Sequence, residues 1–315
     1  MHVMTVTGAL PTDEMGVTDA HDHLYLRSPL LAGDEIDDPD KVAGEVRDGA
    51  RSGITTIVEL TPIGLGRRPD VLRRVSVETG VHIVGATGYH RDAHYPAGHW
   101  VLEAPDAQLL ARMIADLQVG MHPTDWTDTI LPLDPARAGV IKVGASFGEI
   151  TINERRRLRC AAQAAIQAGV AIVAHTEAAT GADEIADQLQ GDAVPVERII
   201  LAHMDRDPDP ARHLDLLARG LFLVYDTIGR TKYHPDSVRL DLIEAVCAAG
   251  RSAQVLLGLD LGRASYFHVD GGHGLRYLMD AFVPQLRERV GDELTQRMLV
   301  NNPAAAFALR TAVPA

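Results

Sequence analysis

Eight short apolar runs, at residues 17–20, 54–60, 81–86, 139–143, 170–174, 198–202, 221–225 and 254–259, alternate with stretches of helical spacing at 39–52, 69–79, 105–117, 153–168, 209–218 and 236–249. Few folds accept that alternation. Gly53, Gly80, Gly169, Gly220 and Gly250 close helical stretches and lead into the next run, as expected where a helix ends in the left-handed conformation. Runs apolar on both faces suit parallel strands covered by helices, which leaves a doubly wound sheet or a barrel. Eight units select an α/β fold of the (β/α)8 TIM barrel type, and 315 residues is an ordinary length for one with some decoration. No low-complexity linker or long charge block interrupts the pattern, so 1–315 reads as one domain.

A formal charge of −13 argues against a broad nucleic-acid or anionic-membrane surface. An anionic small molecule remains open if cations are concentrated locally. The first 16 residues contain Asp13 and Glu14 and no apolar signal core, and no window reaches the ~18 apolar residues of a membrane span. The expected location is cytoplasmic. Cys160 and Cys247 lack metal-ligand spacing and read as reduced thiols in helices.

Polar groups able to bind metal stand at the carboxyl ends of five runs. In His21-Asp22-His23 two imidazoles two residues apart point the same way if the strand persists. Alone, that spacing is weak. It gains weight because His175 ends Ala171-Ile172-Val173-Ala174 and His203 ends Ile199-Ile200-Leu201-Ala202 in the same manner. Lys142 lies inside Gly139-Val140-Ile141-Lys142-Val143, where a bare ammonium is costly to bury. Either a carboxylate such as Glu59 neutralises it, or it reacts with carbon dioxide to give a carbamate able to bridge two metals. Asp260 follows the eighth run, as a ligand and proton carrier or as a structural cap. His90, His94, His99, His268 and His273 fall in the irregular segments 87–104 and 261–272 or just beyond the second; loop histidines more often hydrogen-bond than ligate. These two segments and a third, 120–138, are candidates for a pocket rim.

The order His21-Asp22-His23, Lys142, His175, His203, Asp260 resembles the phosphotriesterase family of the amidohydrolase superfamily. The likeness extends through Ile63-Gly64-Leu65-Gly66-Arg67, Gly85-Ala86-Thr87-Gly88-Tyr89 and His203-Met204-Asp205-Arg206. The resemblance implies two divalent ions, zinc first and manganese, cobalt or iron as alternatives. His21, His23 and Asp260 would hold the buried ion and His175 and His203 the exposed one, bridged by carboxylated Lys142 and a hydroxide. The hydroxide is then the nucleophile, Asp260 moves its proton, and Tyr89, matching a family tyrosine, orients the substrate carbonyl. A homodimer is also implied.

Substrate choice falls to the loops. Arg230-Thr231-Lys232-Tyr233-His234-Pro235 and Arg263-Ala264-Ser265-Tyr266 follow the seventh and eighth runs, where barrels often bind phosphate. They resemble the branch of the family that hydrolyses phosphorylated furanose lactones, which implies that Lys232, Arg263 and Tyr266 hold the phosphate; Ala264 stands where a second arginine is expected. The expected activity is opening of a sugar lactone. An acyl-homoserine lactonase or phosphotriesterase is the alternative, and a metal-binding barrel without catalysis the remote one. Polar loops and 4% aromatic residues disfavour a long acyl chain or an aromatic organophosphate as the natural ligand.

Overall fold

The computed structural model describes residues 1–124 and 131–310. An antiparallel hairpin of β1 (His2–Thr5) and β2 (Gly8–Pro11) precedes an eight-stranded sheet. Its strands are β3 (Thr18–Asp22), β4 (Thr56–Glu59), β5 (His82–Tyr89), β6 (Val140–Gly144), β7 (Ala171–His175), β8 (Ile199–Ala202), β9 (Phe222–Tyr225) and β10 (Val255–Leu257). They lie in sequence order, each parallel to the next. The ring is joined where the Asp260 amide donates to the His21 carbonyl at 2.9 Å. Gly258 makes that approach possible, because a Cβ there would lie 2.9 Å from the His21 nitrogen and 3.0 Å from its carbonyl oxygen.

Helices α1 (Pro39–Ser52), α2 (Pro69–Thr79), α3 (Trp100–Glu103), α4 (Asp106–Gln118), α5 (Ile152–Ala168), α6 (Ala182–Gly191), α7 (Pro210–Ala218) and α8 (Asp236–Ala248) connect the strands, and α9 (Val283–Val290) follows them. Their ends carry the expected signals. Asp38 caps α1 through the Asp40 and Lys41 amides, Thr151 and Glu154 form a reciprocal capping box on α5, and Gly53, Gly80 and Gly169 terminate α1, α2 and α5 with positive φ. α6 is absent from the sequence reading because Gly181 caps it with no side-chain hydrogen bond and its core face is two short alanines with Ile185 and Leu189. The hairpin was missed with it.

Strand alternation separates two cores. Ile57, Ile141, Ile172, Leu201, Leu223 and Leu257 face the helices, whereas Val58, Val84, Val140, Val173, Ile200 and Leu256 face the barrel axis. Val3 and Leu10 of the hairpin and Phe307 near the carboxyl end plug the axis from below. The carboxyl ends of the strands are left for polar groups.

Of the three candidate rim segments, 87–104 and 261–272 follow β5 and β10. Segment 120–138 does not belong with them: its described residues, 120–124 and 131–138, lie between the end of α4 and the start of β6, at the other end of the barrel, with Arg137 beside Met4. Its residues 125–130 lie outside the described residues.

Gly258→Ala is expected to lower stability by ~1–3 kcal/mol through overpacking at the barrel seam. Urea unfolding measures it, and an unchanged midpoint would show that the seam does not depend on that glycine.

Candidate metal centre

Inward alternation carries Lys142 and His175 to the barrel mouth. Lys142 lies two residues beyond inward Val140 on β6, and His175 two beyond inward Val173 on β7. His203, Asp260 and the first histidines arrive by departures from regular strand. β3 shifts register against β4 between Asp19 and Asp22, and His203 and Asp260 have positive φ, 62° and 49°. Left-handed backbone is uncommon outside glycine and clusters at functional sites. All six predicted ligands line one cavity.

Each imidazole is oriented through a second contact. Asp226, wholly buried, binds His21 Nδ1 at 2.6 Å through one oxygen and His203 Nδ1 at 2.8 Å through the other. Burial opposes ionisation of Asp226, but His203 and His21 outweigh it and hold the carboxyl well below its usual range. The Thr61 hydroxyl lies 2.8 Å from His23 Nδ1, and Glu177 Oε2 lies 3.1 Å from His175 Nε2. Arg91 at 3.0 Å and Arg206 at 3.3 Å hold Glu177 in turn. Supports of this kind fix the ring and leave the other nitrogen for a metal.

The spacing of the donor atoms matches what a metal ion requires. With Nδ1 engaged, the Nε2 atoms of His21 and His23 lie 3.6 and 3.3 Å from Asp260 Oδ1. The edge of a tetrahedron with ~2.0–2.1 Å metal–ligand bonds is ~3.4 Å. The three groups therefore fit one ion. Lys142 Nζ lies 3.1 Å from His21 Nε2, on the strand next to the one that carries His175 of the second pair. In that pair His203 Nε2 and His175 Nδ1 are 2.8 Å apart, a hydrogen-bond distance that an ion would replace by drawing both nitrogens to itself. His21, His203 and Asp226 also cluster, but Asp226 already binds the Nδ1 atoms and acts as the orienting group.

Burial lowers His21 and His175 to about 4 and leaves both rings neutral, the ligand form. Lys142, 1% exposed, is lowered by burial to about 8 although Asp260 and Asp226 oppose the shift. It makes no ion pair with Glu59 among the described residues; Glu59 accepts the Leu24 amide at 3.4 Å.

Tyr89, expected at the substrate carbonyl, does not reach the cavity. It faces outward from β5, is 1% exposed, donates its hydroxyl to the Leu109 carbonyl at 3.0 Å and packs edge-on against Trp100. The next residue, His90, enters the cavity instead. Lys232, Arg263 and Tyr266 do line it. Lys232 Nζ sits 4.9 Å from the Tyr233 ring and 6.0 Å from the Tyr266 ring, and Arg263 is drawn to Asp34 at 3.4 Å. The sequence reading assigned no role to Asp226, Glu177, Arg91 or Arg206, and none to Arg230, which binds the Asp260 carboxylate and, at 2.9 Å, its carbonyl. A signal for Asp226 existed, since it lies two residues beyond inward Val224, as His175 does from Val173.

Fold and donor set together define a metal-dependent hydrolase barrel. The chain matches the phosphotriesterase family over residues 1–307 and belongs to it. It is similar to a phospho-furanose lactonase from Mycoplasmopsis synoviae (strain 53), 30% identical over 96% of this chain and 91% of the relative. Its structure is similar to that of a lactonase from Listeria monocytogenes, with TM-score 0.90 and 28% identity over 99% of this chain and all of the other. It is also similar to the phosphotriesterase homology protein from Escherichia coli, solved with phosphate in its active site, with TM-score 0.86 and 29% identity over 94% of this chain and all of the other.

Asp226→Asn keeps the shape of the side chain but removes the charge shared by two imidazoles. Metal affinity is expected to fall ~10–100-fold, the usual loss for a group orienting a ligand, measured by competition with a chromophoric chelator. Unchanged affinity would remove Asp226 from the centre.

Proposed function

We propose that the protein hydrolyses a sugar lactone carrying an anionic group, phosphate first, at a two-metal centre. One observation carries the reading: six donor side chains from five separated strand ends meet at one mouth, and the loops after β9 and β10 set Lys232, Arg263 and Tyr266 beside them. The two relatives described above as lactonases, and the phosphate bound in the active site of the Escherichia coli protein, support the substrate class.

His21, His23 and Asp260 would hold one ion, and His175 and His203 the other, with zinc the first choice for this nitrogen and carboxylate set. Two ions bound there supply a water of lowered pKa and polarise the carbonyl under attack. Lys142 would join them as a carbamate. Burial prepares it, because an amine lowered to about 8 keeps a neutral fraction near pH 7; its nitrogen then bonds to the carbon of carbon dioxide and releases a proton. Asp260 takes the proton of the attacking water on its carboxylate and returns it to the leaving alkoxide oxygen, which opens the ring to a hydroxy acid. Arg230 and Arg206, the latter at 3.6 Å, keep that carboxylate ionised between turnovers. Lys232 and Tyr266 bind the anionic group, and Arg263 does so from the rim.

An acyl lactone is the weaker reading, because Lys232 stands among Tyr233, Tyr266 and Arg230, and Leu26, Leu30, Leu31 and Leu65 give the same cavity an apolar patch rather than a continuous apolar channel. Slow phosphotriester cleavage at the same centre is compatible with it. Among the described residues no helix is long and apolar enough to cross a membrane, and the two cysteines are unpaired; a cytoplasmic homodimer is the proposed setting.

Furanose lactones with and without a terminal phosphate, assayed on enzyme reconstituted with zinc and bicarbonate, test the reading. The phosphorylated series is expected to be preferred. Lys232→Ala is expected to lower kcat/KM on it by ~10–100-fold, the worth of one charged hydrogen bond, with little effect on neutral lactones. Equal turnover of acyl lactones would sink the sugar assignment. Protein supplied with 13C-bicarbonate is expected to show a carbamate resonance that is absent in Lys142→Ala.

A further inference from the structure

His90 follows β5 directly and continues the inward series of Val84 and Ala86. Its placement is built by three elements. The His90 amide donates to the Tyr95 hydroxyl at 2.8 Å, and that hydroxyl donates to the Ile63 carbonyl at 2.8 Å. Opposite, β6 ends in Gly144, where a Cβ would lie 2.9 Å from both His90 Nδ1 and the Arg91 nitrogen. The Arg91 amide donates to His90 Nδ1 at 2.8 Å.

That last contact settles the chemistry of the ring. An imidazole nitrogen that accepts a hydrogen bond carries no proton, so the ring is neutral and its one proton is on Nε2. A protonated Nε2 does not ligate metal. His90 nevertheless lines the metal cavity, with its ring centre 4.7 Å from that of His175 and 4.0 Å from that of His94. The strand order places it further. β5 and β9 are four strands apart in a ring of eight, so His90 and Lys232 stand on opposite walls. A substrate anchored by its anionic group at Lys232 spans the mouth toward His90.

Building on the lactone reading, we propose that His90 is a catalytic hydrogen-bond donor: its Nε2–H binds the lactone carbonyl oxygen and stabilises the negative charge that gathers there as water adds. His90 keeps its proton throughout. A neutral donor suits this place, since an imidazolium would meet Arg91 and the two proposed ions as a like charge. The segment 87–104 then supplies an electrophile-binding group in addition to a rim.

Two measurements test the proposal. Long-range 1H–15N correlation spectra of histidine-labelled protein, assigned with His90→Gln, are expected to show His90 as the Nε2–H tautomer at pH 7. An Nδ1–H tautomer or an imidazolium overturns the proposal. In kinetics, His90→Phe is expected to lower kcat on the preferred lactone ~100-fold, as for loss of one oxyanion donor, with KM within about threefold and zinc content unchanged. His90→Gln, which retains an N–H donor, is expected to recover about tenfold of that loss. Equal kcat loss in both variants, or an effect carried by KM alone, overturns the donor role. Wild-type protein that opens no lactone removes the carbonyl role too; the tautomer spectrum then separates a wrong substrate, with Nε2–H present, from a wrongly read site, with Nε2–H absent.

Discussion

Asp226 is the constraint on which the mouth of this barrel depends. A carboxylate with no exposure is costly unless every lone pair is used, and Asp226 uses its oxygens on histidines from two distant strand ends, β3 and β8. It thereby ties the first, sixth and seventh strands of the ring together at the level where a metal would sit. Its own backbone is held from behind. Asp205 accepts from the Asp226 amide at 3.2 Å and from the Thr227 amide at 3.0 Å, and fully buried Arg239 donates to Asp205 at 2.8 Å and to the His234 carbonyl at 2.7 Å. Arg239 therefore joins the group that orients two ligands to the loop that carries Lys232. The metal centre and the substrate loop share one buried network.

The barrel axis changes character along its length. Below, hairpin residues and Phe307 close it with apolar side chains; above, the same inward positions become Lys142, His175 and Asp226. A site built this way sits on strands and immediately beyond their ends rather than out on long loops, which favours the small geometric tolerance a metal requires. The polar end is expensive for stability, and the apolar plug and the helix layer offset that cost. Buried charge at the mouth is thus a property the whole barrel supports.

How much of this was legible depends on whether a residue obeys its strand. Lys142 and His175 follow the period of two and could be read as one inward series with Val140 and Val173. The barrel and its helix ends were equally legible, because apolar runs and terminal glycines are local signals. Tyr89 went wrong through parity alone: counting from Ala86 puts Tyr89 outward and His90 inward, but the resemblance drew attention to the aromatic residue. His203 and Asp260 were found by chemistry and not by geometry, since nothing local announces their left-handed backbone. Arg206 and Arg230 were invisible as site residues because each acts through a partner far away in the chain, Glu177 and Asp260, whereas Glu177 stands only two residues from His175 in a short turn that carries no distinctive pattern.

The distribution of charge makes the mouth selective before any contact forms. The chain carries a net −13, yet Arg91, Arg206, Arg230, Lys232 and Arg263 all border this cavity, against which, among the described residues, only Glu177 and Asp260 offer carboxylates. If Asp260 is committed to a metal ion, its share of that balance is withdrawn, and Arg230 and Arg206 lose part of their counter-charge. The deficit is greatest on the wall formed after β9, where Arg206 and Arg230 stack on Tyr233 at 4.4 and 5.1 Å. Field lines from such a cluster are focused by the low-dielectric wall around it and draw anions inward while the rest of the surface repels them. A substrate that arrives with its own negative group therefore completes the electrostatics of the site, whereas a neutral lactone of the same shape leaves them unbalanced.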